Sequence, residues 1–523
     1  MDVRAAIAHA QSLRAAGDVR GAVAALGSAV QRHPHAADAW LALGGLLLDI
    51  ALAQPAAAAA ARSPLPAALE AFDRAAALAP REPATLAQAA MAARYACDWA
   101  ASEPRVAALH ALLAAPDAAA PAALPPLVAV ALLDDPALQL ACARAYASAA
   151  LPPAAPPFVR ERGTRLRVGY LSADFHEHAT AHLAAGLFER HDRARVATFA
   201  YALDRDDGGP MRRRLRRAFG AWRDVRALDD DAAARVIADD GLDVLVDLKG
   251  HTQGSRLAIL ARRPAPVQIH YLGFPGTLAY AGVDALVADG VVVPPGDERH
   301  YTERVLRLPV CYQVNDRERP RPPAPARADA GLPERALVLC SFNQTYKLTR
   351  PFLETWLDAL ARHPDAVLWL HVPHECARAH LRAAAAARGV DAARLVFAGH
   401  VAQAAHLARL RCADLALDVL PYGSHTTGSD ALWCGVPLLT VTGSTFAGRV
   451  GTSLVRAAGL PQFAAPTFDA YRAKLEALLA DRAQIASARA HLERERERLP
   501  LFDTGGFARS FEALLEDAAG RPA

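Results

Sequence analysis

The segment Leu420–Trp433 holds the residues best suited to binding a phosphate, because an apolar strand end leads through a polar turn into a predicted helix. The run Ser429–Cys434 is predicted to form the opening turns of that helix. The unpaired N–H groups and the positive dipole end of a helix N-terminus attract an anion. Gly423 and Gly428 would let the backbone approach such a ligand closely.

Side chains of the same turn suit a ligand that combines a phosphate with a sugar. Thr426 and Thr427 supply hydroxyl donors, and Asp430 supplies an acceptor for sugar hydroxyls. Ser, Thr and Gly are also the residues of an ordinary capping turn. The segment alone therefore leaves both interpretations open.

Lysine is rare in this chain, occurring only at Lys249, Lys347 and Lys474. Lys347 ends the polar segment Ser341–Lys347, which follows an apolar predicted strand. A compact ammonium charge is wanted where a nucleoside diphosphate leaves, because negative charge builds on the leaving oxygen. We therefore predict that Lys347 neutralises a diphosphate.

A histidine-rich loop, Ser172–His182, follows the first predicted strand. Its three histidines and two carboxylates match no common zinc spacing, so the pattern does not favour a metal site. One of the histidines, with an ordinary pKa near 6.5, could serve as a base or as a hydrogen-bond partner of a substrate.

Three other loops at predicted strand ends are polar. Lys249–Arg256 and Gly273–Thr277 contain glycine pairs whose backbone amides could meet a ligand, although ordinary turns explain each of them alone. After Gly399–Ala402, His406 and Arg409 lie at helical spacing on one face. The imidazole could stack on a base while the guanidinium bonds to its edge; the alternative is a solvated helix face.

Strands and helices must position these loops, and the strand candidates form two series separated by a Pro- and Arg-rich break at Arg317–Arg327. The first series is Leu166–Leu171, Val196–Tyr201, Val244–Leu248, Val267–Leu272 and Ala285–Val287. The second is Ala336–Cys340, Ala366–Leu370, Leu395–Phe397, Asp414–Leu417 and Leu438–Thr442. Alternation with helices predicts two parallel-sheet domains, with ligands beyond the carboxyl ends of the strands and an active site between the domains.

The chain before these strands is helical and repeats itself. Residues at matching offsets in two units are Ala22, Leu26, Ala29 and Pro34, then Ala68, Phe72, Ala75 and Pro80. These offsets are typical of tetratricopeptide repeats. An Ala-rich insertion, Ala51–Ser63, lengthens the middle unit, and a third unit begins near Pro83. The array would offer a concave surface to a peptide or protein, or would simply pack on the next domain.

A second helical stretch, Leu127–Ala149, and a Pro-rich linker, Leu151–Phe158, complete the first part of the chain. We predict four regions: repeats at 1–100, a helical connector and linker at 101–160, a first Rossmann-like domain on the acceptor side at 161–325, and a second on the nucleotide-sugar side, with C-terminal helices, at 326–523.

Composition excludes several classes of protein. The 523 residues are 53% hydrophobic, which suffices for packed cores, and a net charge of +3 gives no reason to expect nucleic acid or an anionic membrane as partner. The apolar stretches are too short or too Ala-rich to span a membrane, and Met1–Arg4 lacks the apolar region of a signal peptide, so we expect a cytoplasmic protein. The seven scattered cysteines are expected to be free, buried thiols.

Two charged runs have separate interpretations. Arg212–Arg217 is the one concentrated basic patch, predicted to be a solvated helix face, with an acidic partner or membrane surface as the alternative. Asp229–Asp231 contains the DxD pattern that binds metal in another transferase fold, but it falls at a loop or helix start, where we do not expect a metal.

Several segments match one known family in the same order. They are Arg167–Phe175, Arg263–Gln268, Gly273–Thr277, Cys340–Lys347 and Gly423–Gly428 with Asp430. Through them the chain resembles the cytosolic O-linked N-acetylglucosamine transferases, tetratricopeptide-bearing glycosyltransferases that include the SPINDLY-like proteins. The resemblance is densest from Arg165 to Val450. It implies the GT-B fold, an α/β fold of two Rossmann-like domains, here preceded by an all-α repeat domain.

The resemblance also assigns roles on the nucleotide side. Lys347 matches a lysine on the nucleotide diphosphate, which we count as catalytic, with Gln344 beside it. The diphosphate turn corresponds to His425, Thr426 and Thr427, and Asp430 corresponds to a carboxylate on the ribose. The uracil contacts correspond to His406, stacked on the base, and to Arg409 and the backbone near Val401, which read its edge.

On the acceptor side, His178 matches a cleft histidine whose proposed role as general base is disputed within the family. The sugar side of the cleft corresponds to Gly273, Pro275, Gly276 and Thr277. The chain departs from the animal enzymes at Gln403, where they carry a lysine near the nucleotide, and its repeat array is much shorter.

The resemblance implies transfer of GlcNAc from UDP-GlcNAc to serine or threonine hydroxyls of intracellular proteins, with inversion and without a metal or other cofactor. The UDP-sugar donor and a protein or peptide acceptor are then the partners, the acceptor meeting the repeats and the cleft. A related transferase that uses GDP-fucose or UDP-glucose, and a non-catalytic UDP-binding scaffold, are the alternatives.

Overall fold

The computed structural model describes residues 2–53, 63–115, 124–160 and 163–520. The chain begins with paired antiparallel helices, as the repeat pattern predicts. These helices are α1 (Val3–Ala15), α2 (Val19–Arg32), α3 (Ala37–Ala53), α4 (Leu65–Leu78), α5 (Pro83–Tyr95) and α6 (Trp99–Leu113). Most of the insertion predicted at Ala51–Ser63 lies outside the described residues.

Small residues are found where the paired helices touch. Ala22, Ala29, Ala68 and Ala75 have no exposed surface. A Cβ atom added to Gly44 would lie 3.1 Å from the Phe72 ring, so α3 and α4 approach too closely there for a larger residue. The repeat domain was predicted to end at residue 100, but this position lies inside α6, the second helix of the third pair.

The stretch Leu127–Ala149 was predicted to be helical, and it is helical apart from one short break. It forms two helices, α7 (Pro126–Leu132) and α8 (Pro136–Ala150). The break comes at Asp135, whose carboxylate accepts hydrogen bonds from the N–H groups of Ala137 and Leu138 and so caps a new helix that starts with a proline. The following Pro-rich linker has no regular secondary structure through Arg160.

The first α/β domain is built on a parallel sheet with the strand order β3-β2-β1-β4-β5-β6-β7 among the described residues. Its strands are β1 (Leu166–Ser172), β2 (Val196–Ala202), β3 (Ala221–Asp224), β4 (Val244–Asp247), β5 (Val267–His270), β6 (Ala285–Asp289) and β7 (Arg304–Leu308). Its helices are α9 (Ala179–Arg190), α10 (Pro210–Ala218), α11 (Asp230–Asp239) and α12 (Ala258–Ala261). In register, Val168 of β1 faces Thr198 of β2 on one side and Val244 of β4 on the other.

The second domain repeats this topology, with the strand order β10-β9-β8-β11-β12-β13, again parallel. Its strands are β8 (Leu337–Ser341), β9 (Ala366–His371), β10 (Leu395–Ala398), β11 (Leu415–Leu417), β12 (Leu438–Val441) and β13 (Ala464–Ala465). Its helices are α13 (Arg350–Arg362), α14 (Glu375–Ala386), α15 (Gln403–Leu410), α16 (Thr426–Trp433), α17 (Phe446–Ala457), α18 (Phe468–Ala480), α19 (Ala483–Glu495) and α20 (Thr504–Ala518).

Two successive parallel-sheet domains were predicted, and the structure confirms them. Three strands were missed: β3, β7 and β13. Each is an edge strand or short, and the charged residues of β3 and β7 hide the apolar signal of a buried strand. Helix α16 begins at Thr426, three residues before the predicted start at Ser429, so both threonines of the candidate turn belong to its first turn.

The last helix, α20, leaves the second domain and packs against α9 and β7 of the first. Buried Glu512 of α20 lies 2.9 Å from the Nδ1 atom of His191, and Glu516 accepts a 2.6 Å hydrogen bond from Arg195. The two domains are therefore joined by the end of the chain as well as by the linker between them. The seven cysteines are free thiols, as predicted; six are buried, whereas Cys376, predicted to be buried as well, is half-buried. Among the described helices, none is long and apolar enough to cross a membrane.

Candidate active site

The strand order reverses direction at one point in each sheet, and the candidate residues gather there. In the first sheet this point lies between β1 and β4, and in the second between β8 and β11. Loops that leave the carboxyl ends of strands on either side of such a point form a crevice, which is the usual ligand site of this type of sheet. The loops after β8 and β11 carry Lys347 and the candidate phosphate turn.

A buried carboxylate shapes the phosphate turn. The carboxylate of Asp418, at the end of β11, accepts hydrogen bonds from the N–H groups of Val419 and Ser424 and from the Thr440 hydroxyl, at 2.6 to 2.9 Å. The turn is thereby fixed before α16 begins. His425 directly precedes the helix, and His425, Thr426 and Thr427 are half-buried at its N-terminus.

The two glycines of this turn have different surroundings. The backbone N–H of Gly423 donates to the carbonyl of Ala447. A Cβ atom added to Gly428 would lie about 3 Å from Leu438 and Leu454, so this glycine faces the core. Gly428 therefore lets α16 pack closely on its own domain, which differs from the predicted approach to a ligand.

Lys347 lies beside the turn and is almost completely buried. Its Nζ atom donates to the Gly423 carbonyl at 3.0 Å and lies 3.7 Å from the centre of the Tyr422 ring. Among the described residues, no carboxylate lies within 4 Å of this ammonium group. Burial lowers the pKa of Lys347 from 10.5 to about 7. A buried cation with neutral partners is a site that an anion would stabilise.

Asn343 connects the two loops of this crevice and was not among the predicted site residues. Its side-chain amide donates to the Ser424 hydroxyl at 2.8 Å and accepts from the Thr427 hydroxyl at 2.9 Å. The predicted neighbour Gln344 is exposed. The polarity of the loop was visible in the sequence, but nothing in it distinguished Asn343 from Gln344.

Asp430 is buried on α16 and is already bonded by two residues. It accepts a 2.8 Å hydrogen bond from Arg319, in the linker between the domains, and a 3.3 Å hydrogen bond from Gln403. Burial raises the pKa of Asp430, against the influence of Arg319. Arg319 was missed, because it is one of several arginines in a segment read only as a domain boundary. Gln403, where the sequence departs from the expected family pattern, hydrogen-bonds to Asp430.

The residues predicted to bind uracil lie together after β10. Arg409 donates to the Gly399 carbonyl at 2.7 Å and its guanidinium carbon lies 5.0 Å from the centre of the Phe342 ring. His406 contacts the same ring edge-on at 5.1 Å, while Val401 is half-buried in the loop before α15. Burial, with Arg409 beside it, lowers the pKa of His406 to about 3. The lowered pKa favours a neutral His406 ring at physiological pH, and its flat face could stack on a base.

His178 lies in the loop after β1, and it caps α9. Its Nδ1 atom accepts a hydrogen bond from the Thr180 N–H at 3.2 Å and lies 3.4 Å from buried Asp174, which pairs with Lys249 at 2.8 Å. Burial lowers the pKa of His178 below 6.5, although Asp174 opposes this. The contact with the Thr180 N–H favours the tautomer with the proton on Nε2, whereas the contact with Asp174 favours the one with the proton on Nδ1.

The first domain reaches the second across the crevice. His182, one turn after His178 on α9, is close enough to Asp430 and Arg319 for both to influence its pKa, which burial lowers. Gln313 donates a hydrogen bond to the Ser429 hydroxyl on α16. The histidine loop of the first sheet and the N-terminal half of α16 therefore lie opposite one another.

The glycine loop after β5 is more buried than its predicted role in lining a cleft suggests. The hydroxyl of Thr277 donates to Glu303 at 2.6 Å, and a Cβ atom on Gly273 would lie 2.0 Å from the carbonyl oxygen of Leu248. Gly276 lies against Phe274 and α7, and Pro275 is buried.

The two charged runs are bonded within the protein. Asp229 caps α11, and Asp230 and Asp231 pair with arginines of the next segment. In the basic patch, Arg212 is buried against Asp204 and Trp222, which a solvated face would not be, and Arg214 pairs with Glu189 and Asp316. Among the described residues, no group of three or more His, Cys, Asp or Glu side chains is placed to hold a metal ion.

Comparison with known proteins gives consistent matches. Residues 155–322 and 320–511 match the family described as glycosyl transferase family 41. A probable UDP-N-acetylglucosamine–peptide N-acetylglucosaminyltransferase of Arabidopsis thaliana is 35% identical over 407 residues, which cover 74% of this chain and 42% of that protein. The enzyme of that name from Caenorhabditis elegans is 26% identical over 472 residues, covering 68% and 41%.

A solved structure matches over nearly the whole chain. It is a mutant O-GlcNAc transferase of Thermobaculum terrenum, with a TM-score of 0.77 and 29% identity, covering 99% of this chain and 98% of that one. By contrast, the chain spans about two fifths of the length of the curated relatives it matches.

Proposed function

This chain belongs to glycosyl transferase family 41, and on that basis we propose that it transfers GlcNAc from UDP-GlcNAc to serine or threonine hydroxyls of intracellular proteins. The observation that carries the proposal is Lys347, a buried cation beside a helix N-terminus at the switch point of the second sheet, with no carboxylate partner within 4 Å among the described residues. The names of the relatives supply the donor and the class of acceptor.

Each predicted site residue has a part in this proposal. Lys347 and the first turn of α16, with His425, Thr426 and Thr427, hold the diphosphate. Asn343 links the two loops by hydrogen bonds, and the exposed Gln344 beside it would lie at the opening of the crevice. His406, Arg409 and the backbone at Val401 hold uracil.

Asp430 needs a specific arrangement to bind ribose. Two of its acceptor positions are taken by Arg319 and Gln403, and a carboxylate has further lone pairs to offer. We propose that Arg319 fixes the carboxylate so that one of these lone pairs meets a ribose hydroxyl.

The chemistry needs fixed positive charge where the donor breaks. The acceptor hydroxyl attacks the anomeric carbon in line with the departing UDP, the bond from that carbon to the β-phosphate oxygen breaks, and the hydroxyl proton passes to the departing diphosphate or to water, so the configuration inverts. Negative charge then develops on the diphosphate, and Lys347 together with the helix N-terminus stabilises it. Because these charges are part of the protein, we propose that no metal ion is required.

The role proposed for His178 follows from its hydrogen bonds. A general base needs an unprotonated Nε2 atom, which requires a proton on Nδ1 directed at Asp174. The contact from the Thr180 N–H supports the other tautomer, in which Nε2 donates a hydrogen bond to the substrate. We therefore propose that His178 orients the substrate.

The repeats and the compartment complete the proposal. The concave face of α1–α6 and the crevice would receive the acceptor protein, while free thiols fit a reducing compartment such as the cytoplasm. The glycine loop after β5 would line the sugar side of the crevice with its backbone.

The test is a panel of nucleotide sugars offered to the purified full chain. UDP-GlcNAc should release UDP faster than UDP-glucose or GDP-fucose release their nucleotides, and EDTA should leave the rate unchanged. Peptides of a host lysate treated with the enzyme should gain N-acetylhexosamine on Ser or Thr. Faster release of GDP from GDP-fucose would show that GDP-fucose is the donor. UDP binding without turnover would show that the protein is a UDP-binding scaffold and not an enzyme.

A further inference from the structure

The corner between helices α5 and α6 of the repeat domain rests on the turn that carries Lys347. The Thr345 hydroxyl donates to the Tyr95 carbonyl at 2.8 Å, and the Trp99 indole N–H donates to the Leu348 carbonyl at 3.0 Å. One hydrogen bond therefore comes before Lys347 in sequence and the other directly after it. Both join residues about 250 positions apart in the chain.

Aromatic rings continue this contact into the phosphate turn. The ring of Tyr95 lies 5.1 Å from that of Tyr346, which lies 6.1 Å from that of Tyr422. The Tyr422 ring faces the Lys347 ammonium at 3.7 Å and lies 4.9 Å from the ring of His425. Tyr346 and Tyr422 belong to the same buried apolar cluster as residues of α5, α6 and the first sheet.

Lys347 depends on this packing for its position. A lysine side chain is flexible, and among the described residues the direct partners of this buried ammonium are a carbonyl and a ring. The third helical pair, α5 and α6, hydrogen-bonds to the turn that contains Lys347. Through Tyr95 and Tyr346 it also packs toward the Tyr422 ring that faces the ammonium group. A further hydrogen bond, between His380 Nδ1 and the Ala96 carbonyl at 2.8 Å, fastens the same corner to α14.

We propose that Tyr95 and Trp99 are positioning residues of the diphosphate site, so that the repeat domain completes the donor pocket. This inference rests on the proposed function, because it assigns Lys347 to the diphosphate. The third helical pair, α5 and α6, would then support the donor site in addition to receiving an acceptor. When the hydrogen bonds of Thr345 and Trp99 are lost, the Lys347 ammonium can move away from the diphosphate, while the uracil contacts after β10 remain in place.

The experiment compares two ligands in calorimetry on the full chain. UDP reports on the diphosphate site and uridine does not, so the ratio of their affinities isolates the contribution of Lys347. In Trp99→Phe, which keeps the ring but loses the indole N–H, the preference for UDP over uridine should fall about three- to tenfold. Uridine affinity should stay within twofold. Thr345→Val should act in the same direction.

Trp40→Phe is the matched control. The Trp40 indole also donates to a backbone carbonyl, that of Pro34 at 2.9 Å, but within the first repeats. The preference for UDP should be unchanged in this variant. In a Lys347→Met background, adding Trp99→Phe should lower the preference no further, because the two residues act through one interaction.

Each outcome separates the inference from the proposed function. A wild-type protein that binds UDP no better than uridine would contradict the assignment of Lys347 itself. A wild-type preference that persists in Trp99→Phe and Thr345→Val would overturn only the role of the repeat corner. Equal losses for UDP and uridine, with a lowered melting temperature, would show a purely structural role and overturn it as well.

Discussion

Two lysines occupy comparable places in the two sheets, and their surroundings differ. Lys249 follows β4 and Lys347 follows β8, each at the switch point of its sheet and each at least nine-tenths buried. The Lys249 ammonium pairs with both carboxylate oxygens of Asp174 at 2.8 Å. Among the described residues, that of Lys347 has no ion-pair partner: it donates to the Gly423 carbonyl and faces the Tyr422 ring, with Asp418 acting on it from farther away.

The difference separates a structural charge from a functional one. A buried ion pair is complete in the folded protein, so the charge of Lys249 is already neutralised. A buried lysine with neutral partners costs the protein stability, and this cost is retained only where the charge has another use. We therefore propose that the second switch point is the one that binds an anion, while the first presents a histidine loop held by its own ion pair.

Removing the Lys249 charge should have the largest effect on stability. In Lys249→Met, Asp174 stays buried without its cation, and the free energy of unfolding should fall by roughly 3–5 kcal/mol. Denaturant unfolding measures this change. Lys474→Met is the matched control, because Lys474 has a hydrogen bond to Gln484 and a 6.0 Å contact with the Phe463 ring but no ion pair among the described residues, and it should shift stability by less than about 0.5 kcal/mol. A Lys249 variant as stable as the control would remove the contrast between the two lysines.

Removing the Lys347 charge should affect turnover instead. In Lys347→Met, the rate of UDP release from UDP-GlcNAc should fall by about 10²–10³, because charge on the leaving diphosphate loses its main stabiliser. The effect of Lys347→Met on the free energy of unfolding should have the opposite sign to that of Lys249→Met. The pKa of Lys347 is lower in the folded than in the unfolded state, so burying its charge destabilises the fold. This destabilisation is largest below pH 7 and decreases as pH rises through the folded pKa.

The melting temperature at pH 6 checks that sign. The Lys347→Met variant should melt at the same temperature as wild type or higher. A variant that melts lower at pH 6 and keeps its turnover would show that Lys347, like Lys249, is structural.

The histidine of the first switch point should have the smallest effect. His178→Ala should slow turnover about three- to tenfold, the loss of one hydrogen bond, and should leave UDP affinity unchanged. His176→Ala, in the same loop and bonded to Asp204, is the control and should turn over at the wild-type rate. If His178→Ala instead slowed turnover about a hundredfold or more, the general-base role would be restored.

The fold and parts of the site could be predicted from local sequence patterns. Apolar strands, helical offsets and the rarity of lysine are local signals, and they located both sheets, the repeats and the loop of Lys347. Edge strands such as β3 carry charged residues, so their apolar signal is weak. The start of α16 was placed three residues late, because its first turn consists of Thr and Gly.

Contacts between distant residues could not be predicted. Arg319 meets Asp430 only after the two domains fold together, and in the sequence it is one of many arginines. The same holds for Trp99, whose partner Leu348 lies in another domain. Such residues carry no local pattern, because the interaction is created by the tertiary structure.

Proton uptake on UDP binding tests the central claim most directly. At pH 8, a lysine with a pKa of about 7 is mostly neutral, and an adjacent diphosphate restores its charge, so UDP binding should be accompanied by net proton uptake that approaches one proton per UDP. Calorimetry in two buffers of different ionisation enthalpy measures this number, and uptake should disappear in Lys347→Met. UDP binding to wild type with no proton uptake, or uptake that persists in Lys347→Met, would contradict the account.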